Sequence, residues 1–245
     1  MPRTAHIRQI NPRVDVKVKE IILSKDKEVI YDKKFIEGGL KELGLYVRYV
    51  REREDGVYAC VALIDYIKEI PITVREKDKL KKKMLAYLTS TEIIYYVFPI
   101  LRGSSQLNNI VAILSNEALA SLLNNAISKI VGLQAFLRVK FNFSPSTESR
   151  IRQEFDDISV LKAEDIDDDR IYGIRIKGIR LYETGEYQKG FSGRVETLGI
   201  SIGERWFLIN AYGKITTYQS ISDDMFIDYV KEILKRLLRA RAVII

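Results

Sequence analysis

The sequence predicts an α+β protein with mostly antiparallel sheets covered by helices. Several segments alternate apolar and polar side chains, as half-buried strands do. Glu54-Asp55-Gly56 joins two such segments, and Asp-Gly between strand-like segments is typical of a hairpin turn. Two further segments, residues 115–130 and the segment after Ser222, repeat apolar side chains at helical spacing behind a residue that can cap a helix.

Residues 1–91 are predicted to form a β-rich N-terminal half that ends in a lysine-rich helix. The first strand is expected at residues 13–23, where three valines alternate with polar side chains. The lysine-rich helix is expected at residues 76–88, because four apolar residues recur there at helical spacing. These four are Leu80, Met84, Leu85 and Leu88. The other predicted strands are residues 29–31, 45–53, 57–65 and 68–74.

Residues 92–132 are predicted to connect the two halves with a strand and a helix that Ser115 caps and Gly132 ends. Residues 133–245 are predicted to form a C-terminal α+β half with an antiparallel sheet and a closing helix that starts at Ser222. The strands of this half are expected at residues 133–143, 170–183, 194–201, 205–211 and 214–219.

The order hairpin, strand, helix occurs in residues 46–88 and again in residues 195–238. The sequence therefore allows two pseudo-repeated halves joined by a helical middle segment. The alternative is that the two halves acquired this order independently, since antiparallel sheets covered by helices are common in α+β proteins.

The composition is typical of a folded chain that does not cross a membrane. Apolar residues make up 47% and charged residues 30% of the 245 residues, so the chain can bury a core and keep a charged surface. The longest apolar run, residues 93–101, is far shorter than the ~20 residues that span a bilayer. The first residues lack the apolar stretch of a secretory leader. We therefore expect a cytoplasmic protein with no membrane partner.

The few chemically specialised residues exclude several kinds of site. Cys60 is the one cysteine and lies in an apolar run, whereas His6 is the one histidine and lies in a segment expected to be mobile. A single chain therefore cannot build a zinc site from these two residue types. Neither phosphate-cradling glycine motif occurs. Residues 165–169 mimic the start of a calcium loop, but Arg170 stands where that loop needs glycine. We expect no metal and no cofactor.

The net charge of +7 and a pI near 9.3 favour a polyanionic partner, namely RNA, DNA or a ribonucleoprotein. The abundance of Lys, Glu, Arg and Ile is also typical of proteins that work at high temperature, where ion-pair networks stabilise more than they do at 25 °C. Part of the basic excess then belongs to thermal adaptation.

Basic residues on two predicted strands form the candidate nucleic-acid site. The polar sides of residues 133–143 and 174–182 carry basic residues with one aromatic ring among them. Such a sheet face can pair phosphates and stack bases. A bulge at Gly178 would bury Ile179 and keep the basic residues together. The alternative is that long basic side chains simply cover a sheet. The six candidate residues are Phe136, Arg138, Lys140, Arg175, Lys177 and Arg180. The lysines at positions 79, 81, 82 and 83 are expected to line a solvated helix face.

These observations favour a nucleic-acid- or ribonucleoprotein-binding protein that acts through a basic sheet face, without sequence-specific readout. A dimerising structural or regulatory interaction protein is the first alternative, based on the apolar segments 93–101 and 242–245. The second alternative is a nuclease whose acidic residues the sequence does not locate. A binding protein is favoured over an enzyme, and a homo-oligomer is compatible with the apolar C-terminus.

Overall fold

An antiparallel sheet with helices on both faces dominates the computed structural model, so the protein is α+β as predicted. The structure describes residues 2–36, 39–76, 79–100, 108–164 and 173–244. The helices are α1 (Asp15–Ile22), α2 (Glu117–Val131), α3 (Pro145–Glu154), α4 (Gly185–Ser192) and α5 (Asp223–Arg239).

Most strands pair with antiparallel neighbours in the sheet. In the first part of the chain, α1 lies between β1 and β2, and α2 lies between β6 and β7. The strands of this part are β1 (Arg3–Ile10), β2 (Lys27–Ile36), β3 (Gly39–Glu52), β4 (Tyr58–Glu76), β5 (Lys79–Ile100), β6 (Asn108–Leu114) and β7 (Phe136–Arg138). Strands β8 (Lys140–Phe141), β9 (Asp157–Glu164), β10 (Gly173–Lys177), β11 (Arg194–Ile202), β12 (Arg205–Asn210), β13 (Lys214–Thr217) and β14 (Val243–Ile244) complete the set. The sheet order is β10-β9-β11-β12-β13-β1-β6-β5-β4-β3-β2, with β7 also paired to β1 and a separate β8–β14 pair.

Two hydrophobic cores lie on opposite faces of this sheet. Helices α3, α4 and α5 pack on one face, where α5 buries six apolar side chains. Helices α1 and α2 pack on the other face. The central strand β1 serves both, because Ala5 and Ile7 point into the first core and Ile10 into the second. Each buried large apolar side chain contributes about 1.5–3 kcal/mol, so the two cores together fix the position of β1.

Local signals predicted several boundaries correctly. Gly56, with φ of 76°, completes the turn between β3 and β4, whose ladder begins at the pair Glu52–Tyr58. Gly132 ends α2 in the left-handed conformation that favours glycine. Ser222 caps α5 as expected. The cap of α2 is Asn116 and not Ser115, because the Asn116 side chain accepts from the backbone of the first turn.

The N-terminal segments differ from the prediction. Residues 13–23 contain helix α1 and not a strand, because Val18, Ile21 and Ile22 share one buried helix face. The alternating Val16 is 64% exposed. The segment around His6, expected to be mobile, is the central strand β1. Residues 13–23 were predicted as a strand because a pattern of this length fits both periods and only long-range pairing decides between them.

The predicted lysine-rich helix at residues 76–88 is also wrong, since Lys79–Ile100 is the strand β5. The apolar residues of this segment recur at helical spacing, yet apolar and polar residues also alternate along it. Strand β4 pairs with this stretch over the whole length from Asp65–Ser90 to Glu76–Lys79, and its Ile70, Ile72 and Val74 are β-branched. Cross-strand pairing therefore overrides the local helical preference of lysine and leucine.

Several C-terminal strands are shorter than predicted, whereas β11 (Arg194–Ile202) extends slightly beyond the predicted residues 194–201. Residues 133–143 contain only β7 and β8, and β10 ends at Lys177. Gly178, where a bulge was expected, lies just beyond the end of β10, and the chain bends at Ile179, which is 86% exposed. Helix α4 was not predicted. The acidic stretch 165–169 lies outside the described residues.

The three-part division of the chain stays a prediction. Its first boundary, between residues 91 and 92, lies within β5, and its second lies at the end of α2. Among the helices of the described ranges, none is both long enough and apolar enough to cross a bilayer.

Candidate nucleic-acid interface

The outer part of the β4–β5 hairpin projects beyond the sheet as a two-stranded ribbon. Strand β3 pairs with β4 only up to Ile64, and β6 pairs with β5 only from Ile94 onward. Residues 66–76 and 79–89 therefore pair only with each other among the described residues. Eleven residue pairs at ~3.3 Å per residue give this ribbon a length of roughly 35 Å.

Asp65 fixes the base of the ribbon where the two N-terminal hairpins separate. Its carboxylate accepts the backbone N–H of Gly44 at 3.1 Å and also accepts the Ser90 hydroxyl. Its carbonyl accepts the hydroxyl of Tyr31. One residue thus joins β2, β3 and β5 at the point where the ladder forks, so the direction of the ribbon is set by the folded body.

The ribbon holds a large share of the positive charge of the chain. Residues 66–89 contain seven basic and three acidic residues, which gives four of the seven net positive charges. Lys79, Lys81, Lys82 and Lys83 are all exposed. A charge run on a narrow projecting element is reached by a polyanion from several directions, unlike the same run on a helix packed against a core.

The pairing register divides the ribbon into two faces. Residues directly opposite each other share a face, and Lys81 lies opposite Val74, Lys83 opposite Ile72, and Lys68 opposite Tyr87. We call the face with Lys68, Lys79, Lys81 and Lys83 the lysine face. The other face exposes Leu80, Met84 and Leu88 together with Lys82, which lies opposite Thr73, and we call it the apolar face.

The lysine face has the dimensions of a phosphate-binding surface. From Lys79 to the level of Lys68 it extends about 27 Å along the ribbon, counted as eight residue steps. Duplex DNA presents one phosphate per about 3.4 Å along each strand, so each lysine can meet a separate phosphate. The ring of Tyr87 lies on this face, half-buried between the lysines and the sheet.

Phe136 does not lie on an exposed face, which corrects its assignment as a base-stacking residue. It is 1% exposed and packs in the second core, opposite Ile10 in the β1–β7 pair. Arg138 is exposed, but its guanidinium pairs with Glu117 at 3.0 Å. Lys140 is exposed on β8, in the separate two-stranded pair, opposite Ile244.

Arg175 and Lys177 are exposed on the edge strand β10, as predicted from their alternation. Arg180 lies in the turn beyond β10, where its backbone N–H donates to Asp157 at 3.0 Å. The sheet order separates β10 from β1 and β7 by roughly 20 Å. The structure therefore does not bring the two predicted groups of basic residues together.

Carboxylates also offset much of the charge next to Arg175. Lys162 lies directly opposite Arg175 and pairs with Glu164 at 3.2 Å. Arg194 pairs with the same Glu164 at 3.1 Å. Glu196 pairs with both Lys162 and Arg194. This exposed face is an ion-pair network with mixed charge, which attracts a polyanion less than a one-signed surface does.

Sequence reasoning missed a polar cluster on β1. The Nδ1 of His6 lies 2.8 Å from a Glu117 oxygen, and Arg8 donates to the same carboxylate at 3.0 Å. Burial has the largest influence on the His6 imidazole and lowers its pKa, while Glu117 and the Ser115 carbonyl act in the opposite direction. Apolar and polar side chains alternate in residues 3–10, which is a signal for a strand. A lone histidine near a chain end, however, gave no reason to expect this segment at the centre of the sheet.

Within the ranges given above, no group of three or more His, Cys, Asp or Glu side chains is arranged to hold a metal ion. The sequence matches no known protein family and no curated protein.

Proposed function

We propose that the protein binds nucleic acid through the lysine face of the ribbon, without reading the base sequence. The observation that carries this proposal is the concentration of four net positive charges on an element whose two strands, within the part of the chain that the structure describes, pair only with each other. Lysines that meet phosphates release condensed counterions, which supplies affinity without base contacts.

The shape of the ribbon favours duplex DNA among the nucleic acids. A two-stranded β-ribbon fits the major groove of B-DNA, which is about 12 Å wide. The major groove of A-form RNA is deep and narrow and does not admit such an element. We therefore expect duplex DNA to bind more tightly than duplex RNA of the same sequence, with single strands in between.

The test compares two double charge reversals. The ribbon variant is Lys81→Glu with Lys83→Glu, and the matched control is Arg175→Glu with Lys177→Glu. Each pair is exposed, two residues apart and on one face of a strand. We expect the ribbon variant to bind duplex DNA at least about tenfold more weakly and the control to stay within about threefold of the wild type.

Salt dependence separates phosphate contacts from other effects. Four lysine contacts at about 0.9 each predict a slope near −3.6 in log K against log salt, or about 150-fold between 50 and 200 mM. Loss of two contacts should reduce this slope to about −1.8. The reverse ranking of the two variants would favour the sheet face of β10 and contradict the ribbon.

The interaction-protein hypothesis is the second candidate, and the apolar face of the ribbon favours it. Leu80 and Met84 are 76% and 60% exposed, and Phe35 lies opposite Leu40 on the neighbouring hairpin with both side chains exposed. Exposed apolar clusters of this kind mark association surfaces. Sedimentation of the wild type against Leu80→Lys with Met84→Lys tests this, since a dimer formed here would dissociate in the variant.

Two other hypotheses stay proposals. A nuclease activity would show as turnover of labelled strands by the purified protein. An internal duplication is supported by the antiparallel strands of residues 46–88 and 195–238, although a helix follows the strands only in the second segment, as α5.

A further inference from the structure

A pocket of about 440 Å³ lies at the end of the sheet where β1 begins and β6 ends. Its lining includes His6, Asn116, Lys214 and Asp223. Ile94, the β5 residue at which pairing with β6 begins, lines it too. The pocket therefore lies on the ribbon side of β6, roughly 16 Å along β5 from Thr89, the last ribbon residue of that strand. Its volume is in the lower part of the range for small-molecule sites, about 300–1,000 Å³, and suits a mononucleotide.

Two helices begin at this pocket from opposite faces of the sheet. Asn116 caps α2, a helix of 15 residues, and Ser222 caps α5, a helix of 17 residues. The first residues of both helices, Glu117 and Asp223, line the pocket. The positive ends of two helix dipoles therefore converge on one cavity, and each favours an anion there.

An imidazole nitrogen without a partner lies beside the pocket. His6 is 1% exposed, and its Nδ1 is held by Glu117 at 2.8 Å. Its Nε2 is buried and has no hydrogen-bond partner among the described residues. A buried polar atom without a partner costs about 1–3 kcal/mol, which a bound ligand would recover.

Two basic residues, Arg3 and Lys214, line the pocket together with two acidic ones, Glu117 and Asp223, and arginines inside and outside the lining pair with these carboxylates. Arg8 and Arg138 share the Glu117 carboxylate, each at 3.0 Å, and Arg3 pairs with Asp223. Lys214 lies directly opposite His6 in the β1–β13 ladder and is exposed. Its ammonium is thus placed to meet an anion that also reaches the imidazole.

We propose that this pocket binds a phosphate monoester, either the terminal phosphate of a nucleic-acid strand held on the ribbon or that of a free nucleotide. Lys214 and the two helix N-termini contact the phosphate oxygens, and His6 donates from Nε2 once it carries a second proton. The strand-end form rests on the proposed function, because it needs a strand on the ribbon, whereas the free-nucleotide form does not.

The first measurement uses NMR of the one histidine in the chain. Adding a nucleoside 5′-monophosphate should shift the His6 ring resonances and raise the His6 pKa, because a nearby phosphate dianion stabilises the imidazolium. Inorganic sulfate at the same ionic strength is the control for general salt effects. Lys214→Ala should abolish the shift, and Lys177→Ala, an exposed lysine on β10, should keep it.

The second measurement compares duplexes of one sequence with a 5′-phosphate, a 3′-phosphate or hydroxyl ends only. A phosphorylated end should bind about tenfold more tightly, as expected for a few charge-assisted hydrogen bonds. Lys214→Ala should remove this preference and keep the affinity for the hydroxyl-ended duplex. The ribbon variant should weaken all three duplexes by the same factor.

The outcomes separate the pocket from the ribbon. A His6 shift without a preference for phosphorylated ends supports a free nucleotide and overturns the strand-end form. A His6 shift in a protein that binds no duplex supports the pocket and contradicts the proposed function. Equal affinity for all duplexes with no His6 shift overturns the pocket and leaves the ribbon proposal standing.

Discussion

Replacing Phe136 with alanine distinguishes a base-stacking residue from a core residue. The side chain is 1% exposed and packs beside Ile10 of β1 and against the α2 side of the sheet. Phe136→Ala therefore removes a buried ring from the second core and leaves a cavity. The proposed nucleic-acid surface on the ribbon would be unchanged, because the buried Phe136 ring does not reach it.

The expected loss follows from the size of the buried ring. Phe→Ala substitutions in well-packed cores cost about 3–5 kcal/mol, which is a large fraction of the about 5–15 kcal/mol that stabilises a domain. For a chain of this length, each kcal/mol lowers Tm by about 2–4 °C. We therefore expect Phe136→Ala to lower Tm by about 6–20 °C.

Thermal and urea unfolding of Phe136→Ala provide the assay, and Phe35→Ala is the matched control. Phe35 is 75% exposed, so its removal should change the free energy of unfolding by less than about 0.5 kcal/mol. Below the transition, Phe136→Ala should bind duplex DNA as the wild type does. A Phe136→Ala protein of wild-type stability with weakened binding would refute the core placement and restore the stacking hypothesis.

Three further predictions concern the interior. Gly213→Ala should lower the free energy of unfolding in urea by more than about 2 kcal/mol, because φ at Gly213 is 76° and a Cβ there would collide with the backbone carbonyl of Val139. A variant of wild-type stability would contradict the conformation of the turn at Gly213. Tyr95→Phe should cost about 1–3 kcal/mol in the same assay, because its hydroxyl donates to the buried Ile22 carbonyl at 2.6 Å. Cys60 should resist a thiol reagent at pH 8 without denaturant, because burial raises its pKa to about 12; rapid labelling would show that β4 is accessible.

Sequence reasoning succeeded where a single residue type decides the local conformation. Asp55-Gly56 specified a hairpin turn, and Gly132 specified a helix end, since both glycines adopt positive φ. The closing helix α5 was predicted because its apolar stripe spans nearly five turns with acidic residues at one end and basic residues at the other. A pattern of that length fits only one period.

The ribbon was missed because its sequence satisfies two periods at once. In residues 80–88 the even positions are mostly apolar, and three of them also recur every four residues. Local preference cannot choose between a helix and a strand here. The choice is made by β4, whose Ile70, Ile72 and Val74 offer a β-branched partner strand, and such pairing is invisible from either segment alone.

The polar cluster on β1 was missed for a different reason. Its members are brought together by pairing across the sheet and by α2, so Glu117 reaches His6 from 111 positions further along the chain. Burial of a histidine is a property of the assembled sheet. The candidate residues Arg175 and Lys177 were correctly placed on an exposed strand side, yet the ion-pair network beside them could not be foreseen from their spacing.

Shortening the ribbon tests the central claim most directly. Replacing residues 69–86 with an Asn-Gly turn would join Lys68 to Tyr87, which already face each other, and would remove six basic and three acidic residues. Both hydrophobic cores lie outside the deleted segment, so the shortened protein should unfold with nearly the Tm of the wild type. Duplex DNA binding is then measured against salt for both proteins. We predict that the slope falls from about −3.6 to about −0.9, because one of four lysine contacts remains. A shortened protein that stays folded and binds with the wild-type slope would contradict the claim.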